Sequence, residues 1–283
     1  MYEVSPDRAG TVDEAARIAT IVRQVVITQS KRANVGHIGS ALSIADMIAA
    51  LFAGPLAGTR RGDADRNRFV LSKGHAALAL YGALHACDRL TIEQINSFCA
   101  DGTEVVGHPE HVLDGVDFST GSLGHGLSLA TGAALAARLQ RSRRRVFALM
   151  SDAECNEGSV WEAAMFAAHH CLGNLTAMVD VNGQQALGYT RDVIDLEPLN
   201  DRWESFGWEV REVDGHDLGA LLETLRPSRR EDAPDAAAPR VILARTTFGK
   251  GVSFMEGRIE WHYLPMSDAE YGIAAGEVEV SVA

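Results

Sequence analysis

Short strand-like runs recur along this chain, each followed by a segment of helical periodicity, and that alternation limits the fold more than any other feature. The runs are "RFVLS", "RVFALMS", "LTAMVDV", "WEVREV" and "RVILART". Between them lie "HAALALYGALHAC", "TIEQINSF", "GLSLATGAALAARLQ", "SVWEAAMFAAHHCL", "LNDRWESF" and "LGALLETL", all spaced as helices. Such a rhythm predicts βαβ units and a parallel sheet flanked by helices, an α/β fold. Two further helices are predicted ahead of the first strand, "VDEAARIATIVRQVVITQSKR" and "ALSIADMIAALF", around the glycine-flanked loop "ANVGHIGS". The stretch "RPSRREDAPDAAAP", residues 226–239, reads as a flexible surface loop. No internal repeat interrupts the pattern, so one domain is expected over residues 1–283.

Composition narrows the function classes. A net charge of −12 opposes a phosphate backbone, which argues against nucleic acid as partner. No run of 18 apolar residues is present, so no membrane-spanning helix is expected. The opening "MYEVSPDRAGTVDEAAR" lacks a basic leader and an apolar core, so no signal peptide is expected either. The four cysteines form neither a C-x-x-C pair nor a zinc spacing, which fits a reducing, cytoplasmic setting.

One of the apolar runs ends abruptly in acid: "LMSDAECNEG", residues 149–158, sets Asp152, Glu154 and Glu157 at a strand tip. Asn182 ends the next predicted strand, about one βαβ repeat further on. Ligands of open α/β sheets bind outside the carboxyl ends of the strands, so these two ends would bring an Asp carboxylate and an Asn amide oxygen together. Oxygen donors of this kind, with a backbone carbonyl and phosphate oxygens, are what a hard cation such as Mg²⁺ or Ca²⁺ collects. The turn after Asp152 opens a helix, whose first N–H groups suit a diphosphate. On spacing alone, Asp152 serves equally well as a helix N-cap and Asn182 as a turn residue. A dinucleotide fold would need G-x-G-x-x-G directly after a strand; "GSLGHG" has the wrong spacing, which counts against a dehydrogenase.

The segment "SDAECNEGSVWEA…NLTAMVDVNGQ" resembles the thiamine-diphosphate signature, in the version found in transketolases. Other segments agree in order: "ANVGHIGSALSIADMIAALF", "RFVLSKGHAALALYGAL", "VVGHPE", "STGSLGHGLSLATGAALA", "FGWEVREVDGHD" and "RTTFGKGVSFMEGRIEWHY". From about Ala16 to His262 the chain is similar to the cofactor-binding, amino-terminal half of a transketolase. The resemblance implies thiamine diphosphate as cofactor, with Mg²⁺ or Ca²⁺ held by Asp152, Asn182 and the backbone carbonyl of Gln184. It implies that the Ala153 N–H and the His75 ring meet the diphosphate, and that Gly121, Leu123 and Gly124 line the cofactor cleft. Glu154 and His262 fall among the expected cofactor-binding residues. His37, His75, His108 and His262 match the histidines around the reactive carbon and the substrate hydroxyls. Imidazole suits that place because it donates, accepts or carries a proton near neutral pH. Glu157 and Glu162 match acids between the two cofactor sites of the family dimer.

The sequence departs from the family pattern in two respects. The usual Gly-Asp-Gly is here Ser151-Asp152-Ala153. If position 153 needs a left-handed backbone, Ala costs about 1–2 kcal/mol; in helical geometry it costs nothing. The second departure is length: no segment resembles the pyrimidine-binding half, which supplies an essential glutamate. The resemblance therefore implies a split enzyme, two copies of this chain with two of a separate C-terminal, pyrimidine-binding subunit. The activity implied is transfer of a two-carbon ketol unit from a ketose, such as a sugar phosphate, to an aldose or other acceptor. Alternatives are a subunit of another thiamine-diphosphate enzyme, 2-oxoacid-dehydrogenase-like or deoxyxylulose-phosphate-synthase-like, and a non-catalytic regulatory subunit. The intact Asp152/Asn182 pair and the four histidines weigh against the last.

Overall fold

Five strands lie side by side and all run parallel, in the order β1-β2-β3-β7-β6. They are β1 (Arg68–Leu71), β2 (Val146–Ser151), β3 (Leu175–Val181), β6 (Glu209–Asp214) and β7 (Arg240–Arg245). A small antiparallel pair, β4 (Gln184–Gln185) and β5 (Gly188–Tyr189), follows β3 directly. The computed structural model describes residues 10–59, 62–227 and 237–280. The central part of the loop expected at 226–239 therefore lies outside the described residues.

Strand residues alternate between two apolar layers. Phe147, Leu149, Met178 and Ile242 face the helices Val12–Ala33, Ala45–Ala53 and Ala77–Ala86. Ala148, Met150, Val179 and Leu243 face His125–Leu139, Gly158–His169 and Trp203. Each side chain so enclosed contributes about 1.5–3 kcal/mol when it is as large as Val, Leu, Ile or Met. Helices on both faces are what a parallel sheet requires, because its crossovers must pass over it.

The longest helix shows why these segments fold locally. Thr11 caps Val12–Ala33 by accepting from the Glu14 N–H, with Asp13 and Glu14 in the first turn and Lys31 and Arg32 in the last. Asn34, left-handed at φ 54°, ends it by donating to the Lys31 and Ser30 carbonyls. Ile18, Val22, Val25 and Val26 are buried along one face.

Every predicted strand and helix is present. The loop "ANVGHIGS" is shorter than expected, because Ile38–Ser43 is already helical. Sequence reading missed the β4–β5 hairpin and the helix Asp268–Val280. Among the described residues no helix is long and apolar enough to cross a membrane.

Candidate functional site

Parallel pairing places the ends of β2, β3 and β7 level. Ser151 stands opposite Asp180, and Asp180 opposite Ala244. The Asp152 N–H, one residue past β2, donates to the Asp180 carbonyl at 3.1 Å. The Asp152 carboxylate accepts from the Ala153 N–H at 2.9 Å and, with its other oxygen, from the Gly183 N–H at 2.9 Å. The side chain therefore reaches across to the residue next to Asn182, the convergence expected from strand order. Asn182 Oδ1 accepts from the Gln184 N–H at 2.9 Å. Gln184 is buried, and its Oε1 has no hydrogen-bond partner.

These donors fit a hard cation. Burial, and then the neighbouring Asp180, push the Asp152 carboxyl up to about 7. A bound divalent ion would reverse that push. Among the described residues no three His, Cys, Asp or Glu side chains are grouped to hold a metal. The candidate set is instead one carboxylate, one side-chain amide and one peptide carbonyl, the oxygen-rich mixture of Mg²⁺ and Ca²⁺ sites.

Beneath Asn182 lies a network that sequence reading missed. The buried Asp180 accepts from Ser43 Oγ at 2.7 Å, Lys73 Nζ at 2.6 Å and Asn182 Nδ2 at 2.8 Å, and also from Thr246 Oγ1. Lys73 is equally buried and donates a second bond to the Ser40 carbonyl at 3.2 Å. One signal was available: Asp180 is the single charged residue in the otherwise apolar "LTAMVDV".

Three of the four predicted histidines form one cluster. The rings of His37, His75 and His262 stand with centroids 5.1–5.5 Å apart. His75 Nε2 lies 3.2 Å from Ser40 Oγ, and Phe248 stacks beneath His262 at 8°. His37 Nδ1 is buried without a partner. Burial first, and then nearby positive charge, lowers all three: His37 below its ordinary value, His75 well below it, and His262 to about 4. Each ring is thereby favoured in its neutral form. His108 is exposed, its ring beside Gly121, where a β-carbon would come 3.5 Å from it, and it lies close enough to act on His37 and His75 through its charge.

Glu154 is fully buried, and its oxygens are engaged by the protein itself. They accept from Ser72 Oγ at 2.5 Å, the Gly124 N–H at 2.9 Å and the Ser151 N–H at 3.0 Å. Glu154 thus ties the ends of β1 and β2 to the glycine-rich loop. Gly124 sits at φ 82°, and a β-carbon there would meet Glu157 Cβ at 2.6 Å, so this position needs glycine. Leu123 is half-buried, and Gly121 edges a cavity of about 560 Å³ with Thr120, His125 and Leu129. Ala153 opens a short 3₁₀ turn and has no positive φ. Of the two readings of Ser151-Asp152-Ala153, the unstrained one holds. Glu157 and Glu162 are exposed.

Comparison with known proteins decides the family. The profile described as "Transketolase, thiamine diphosphate binding domain" matches residues 14–275. The chain belongs to the transketolase family. It is 36% identical over 264 residues to the 6-deoxy-6-sulfo-D-fructose transketolase subunit SqwG of a Clostridium species, covering 92% of this chain and 94% of that protein. It is also 36% identical to one of the subunits of the apulose-4-phosphate transketolase of Phocaeicola vulgatus, over 87% of each chain. Among solved structures, transketolase from Campylobacter jejuni superposes with a TM-score of 0.85 at 28% identity. That match covers 95% of this chain and 43% of the longer one, so this chain spans less than half of that family member.

Proposed function

We propose that this chain is the thiamine-diphosphate-binding subunit of a two-chain, transketolase-like transferase. It moves a two-carbon ketol unit from a ketose, such as a sugar phosphate, to an aldose or other acceptor. The single observation that carries the reading is the junction of Asp152 with the Asn182–Gln184 turn, 2.9 Å apart through the Gly183 N–H, near a cluster of neutral histidines. Asp152, Asn182 and the Gln184 carbonyl would hold Mg²⁺ or Ca²⁺, with Ala153 and His75 meeting the diphosphate. When bound, thiamine diphosphate supplies a ring carbon able to carry the two-carbon unit. The chain's own part is orientation and proton handling: neutral imidazoles at His37, His75 and His262 accept or donate at substrate hydroxyls, with His108 at the rim.

A separate pyrimidine-binding subunit completes the site in this reading, as two copies of each chain with Glu157 and Glu162 at the contact. The relatives named as subunits, matched over nearly their full length, support a divided enzyme. The cytoplasm, where sugar phosphates are turned over, is the proposed location. Calorimetric titration with thiamine diphosphate and Mg²⁺ tests the binding half, which fails if no heat is measured with the partner subunit present. Ketol transfer by this chain alone should be negligible. Full activity without a partner would overturn the two-chain arrangement.

A further inference from the structure

We infer that Asp180, neutralised by Lys73, is a positioning residue that fixes which way the Asn182 amide faces. The inference rests on the proposed cation site and adds to it the group that orients one of its ligands. An asparagine can present oxygen or nitrogen to an ion by a half-turn of its amide, and only the oxygen can ligate. Two contacts settle the choice here. Asn182 Nδ2 donates to Asp180 Oδ2 at 2.8 Å and to Ser43 Oγ at 3.3 Å, while Oδ1 accepts from the Gln184 N–H. Ser43 donates its own hydrogen to Asp180 Oδ1, so its oxygen can only accept from Asn182. Turning the amide over would set oxygen against Asp180 and nitrogen against a peptide N–H, losing every one of these bonds at once.

Asp180 is itself immobile. Four side chains donate to its two oxygens: Asn182, two residues on, and Ser43, Lys73 and Thr246 from distant parts of the chain. Lys73 supplies the compensating charge, with both partners at or below 1% exposure. A buried carboxylate without that ammonium would be costly and would add negative charge beneath a cation ligand. The pair thus gives an acceptor of fixed direction. Outer groups of this type tune metal affinity by about 10- to 100-fold.

The test is Mn²⁺ binding to the full chain with thiamine diphosphate, read by electron paramagnetic resonance and independent of turnover. Asp180→Asn should weaken Mn²⁺ by about tenfold or more. Adding Asn182→Asp to that variant should restore most of the affinity, because an aspartate offers oxygen whichever way it turns. The same Asn182→Asp change in the otherwise unaltered chain should raise Mn²⁺ affinity much less, because the amide oxygen is already aimed there; an equal gain in both backgrounds would reflect added charge alone and would overturn the positioning role. Should Asp180→Asn fail to fold, Lys73→Met with Asp180→Leu removes the charges as a pair and leaves the acceptor missing. That variant should fold with a lower melting temperature, because the Ser43 and Thr246 hydroxyls lose their acceptor, and bind Mn²⁺ about tenfold more weakly. Unchanged affinity in a folded variant, or a loss that Asn182→Asp does not relieve, overturns the positioning role. No Mn²⁺ binding by the unaltered chain removes the proposed site itself, a different failure.

Discussion

The His37 N–H donates to the His262 carbonyl at 3.1 Å, and the two rings meet edge to face with centroids 5.1 Å apart. One bond therefore joins the helix Ile38–Ser43 to the turn Ile259–His262, residues more than two hundred positions apart in the chain. His37 adopts φ 62° to make it, an uncommon conformation for a residue with a side chain. Neutral rings pack at this distance; burial first, and then His108 and Lys73, oppose a proton arriving on His37.

That opposition has a measurable consequence. The folded pKa of His262 lies at about 4, below the ordinary 6.5. Between those values the unfolded chain binds a proton that the folded chain refuses. The stabilisation is complete above about pH 6.5 and is lost as pH falls toward 4. Asp152, pushed the other way, titrates in the same window with opposite sign, so the total profile mixes both. The comparison to make is with His262→Asn. Between about pH 7 and pH 5, the variant should lose about 1 kcal/mol less stability than the unaltered chain, allowing for screening of a partly exposed ring. Denaturant unfolding at the two pH values measures it, and parallel profiles would refute it.

Gly39 lies against the underside of the same cluster. A β-carbon there would stand 2.1 Å from Phe248 Cε1, and Phe248 is the ring stacked beneath His262. Gly39→Ala should therefore cost about 1–3 kcal/mol through overpacking. Shortening the obstacle with Phe248→Leu should recover part of that loss. Thermal melts of the single and double variants check the coupling, and simple additivity would count against this contact.

Glu154 offers a sharper case, because three donors converge on a fully buried carboxyl group. Glu154→Gln keeps the shape but turns an N–H₂ toward either the Gly124 or the Ser151 N–H. Leaving such a donor unsatisfied costs about 1–3 kcal/mol. The loss should appear as a lower melting temperature before any cofactor is added. A melting temperature equal to that of the unaltered chain would show that the two strand ends and the glycine-rich loop are held some other way.

Much of this is legible in the sequence, and the reasons are local. Strand and helix periodicity marks β1, β2, β3, β6 and β7, and the acids ending "LMSDAECNEG" mark a strand tip. Parallel order then sets Asp152 beside the Asn182 turn. Residues whose partners lie far away in sequence are not legible. Lys73 and Asp180 are separated by 107 positions, and neither lies in a pattern that names the other. The bonds that Glu154 accepts from Ser72 and Gly124 are equally out of sight, since those residues lie 82 and 30 positions away. The direct ring contacts among His37, His75 and His262 are likewise visible only in the fold, since these residues lie far apart along the chain.

Position 153 carries the last prediction. The family signature has glycine where this chain has Ala153, and a glycine is needed only if the backbone turns left-handed or something presses on the β-carbon. Ala153 lies within the 3₁₀ turn Ala153–Asn156 and is absent from the residues with positive φ. Its N–H already bonds Asp152 Oδ1, so the turn is closed with alanine in place. Restoring glycine therefore relieves no strain and adds freedom to the unfolded chain. Ala153→Gly should lower stability by about 0.4–1 kcal/mol. It should also leave thiamine diphosphate affinity within about twofold of its starting value, since a tenfold change would need about 1.4 kcal/mol. Calorimetry on both chains decides the matter: a variant binding the cofactor tenfold more tightly would mean that the methyl group obstructs the diphosphate.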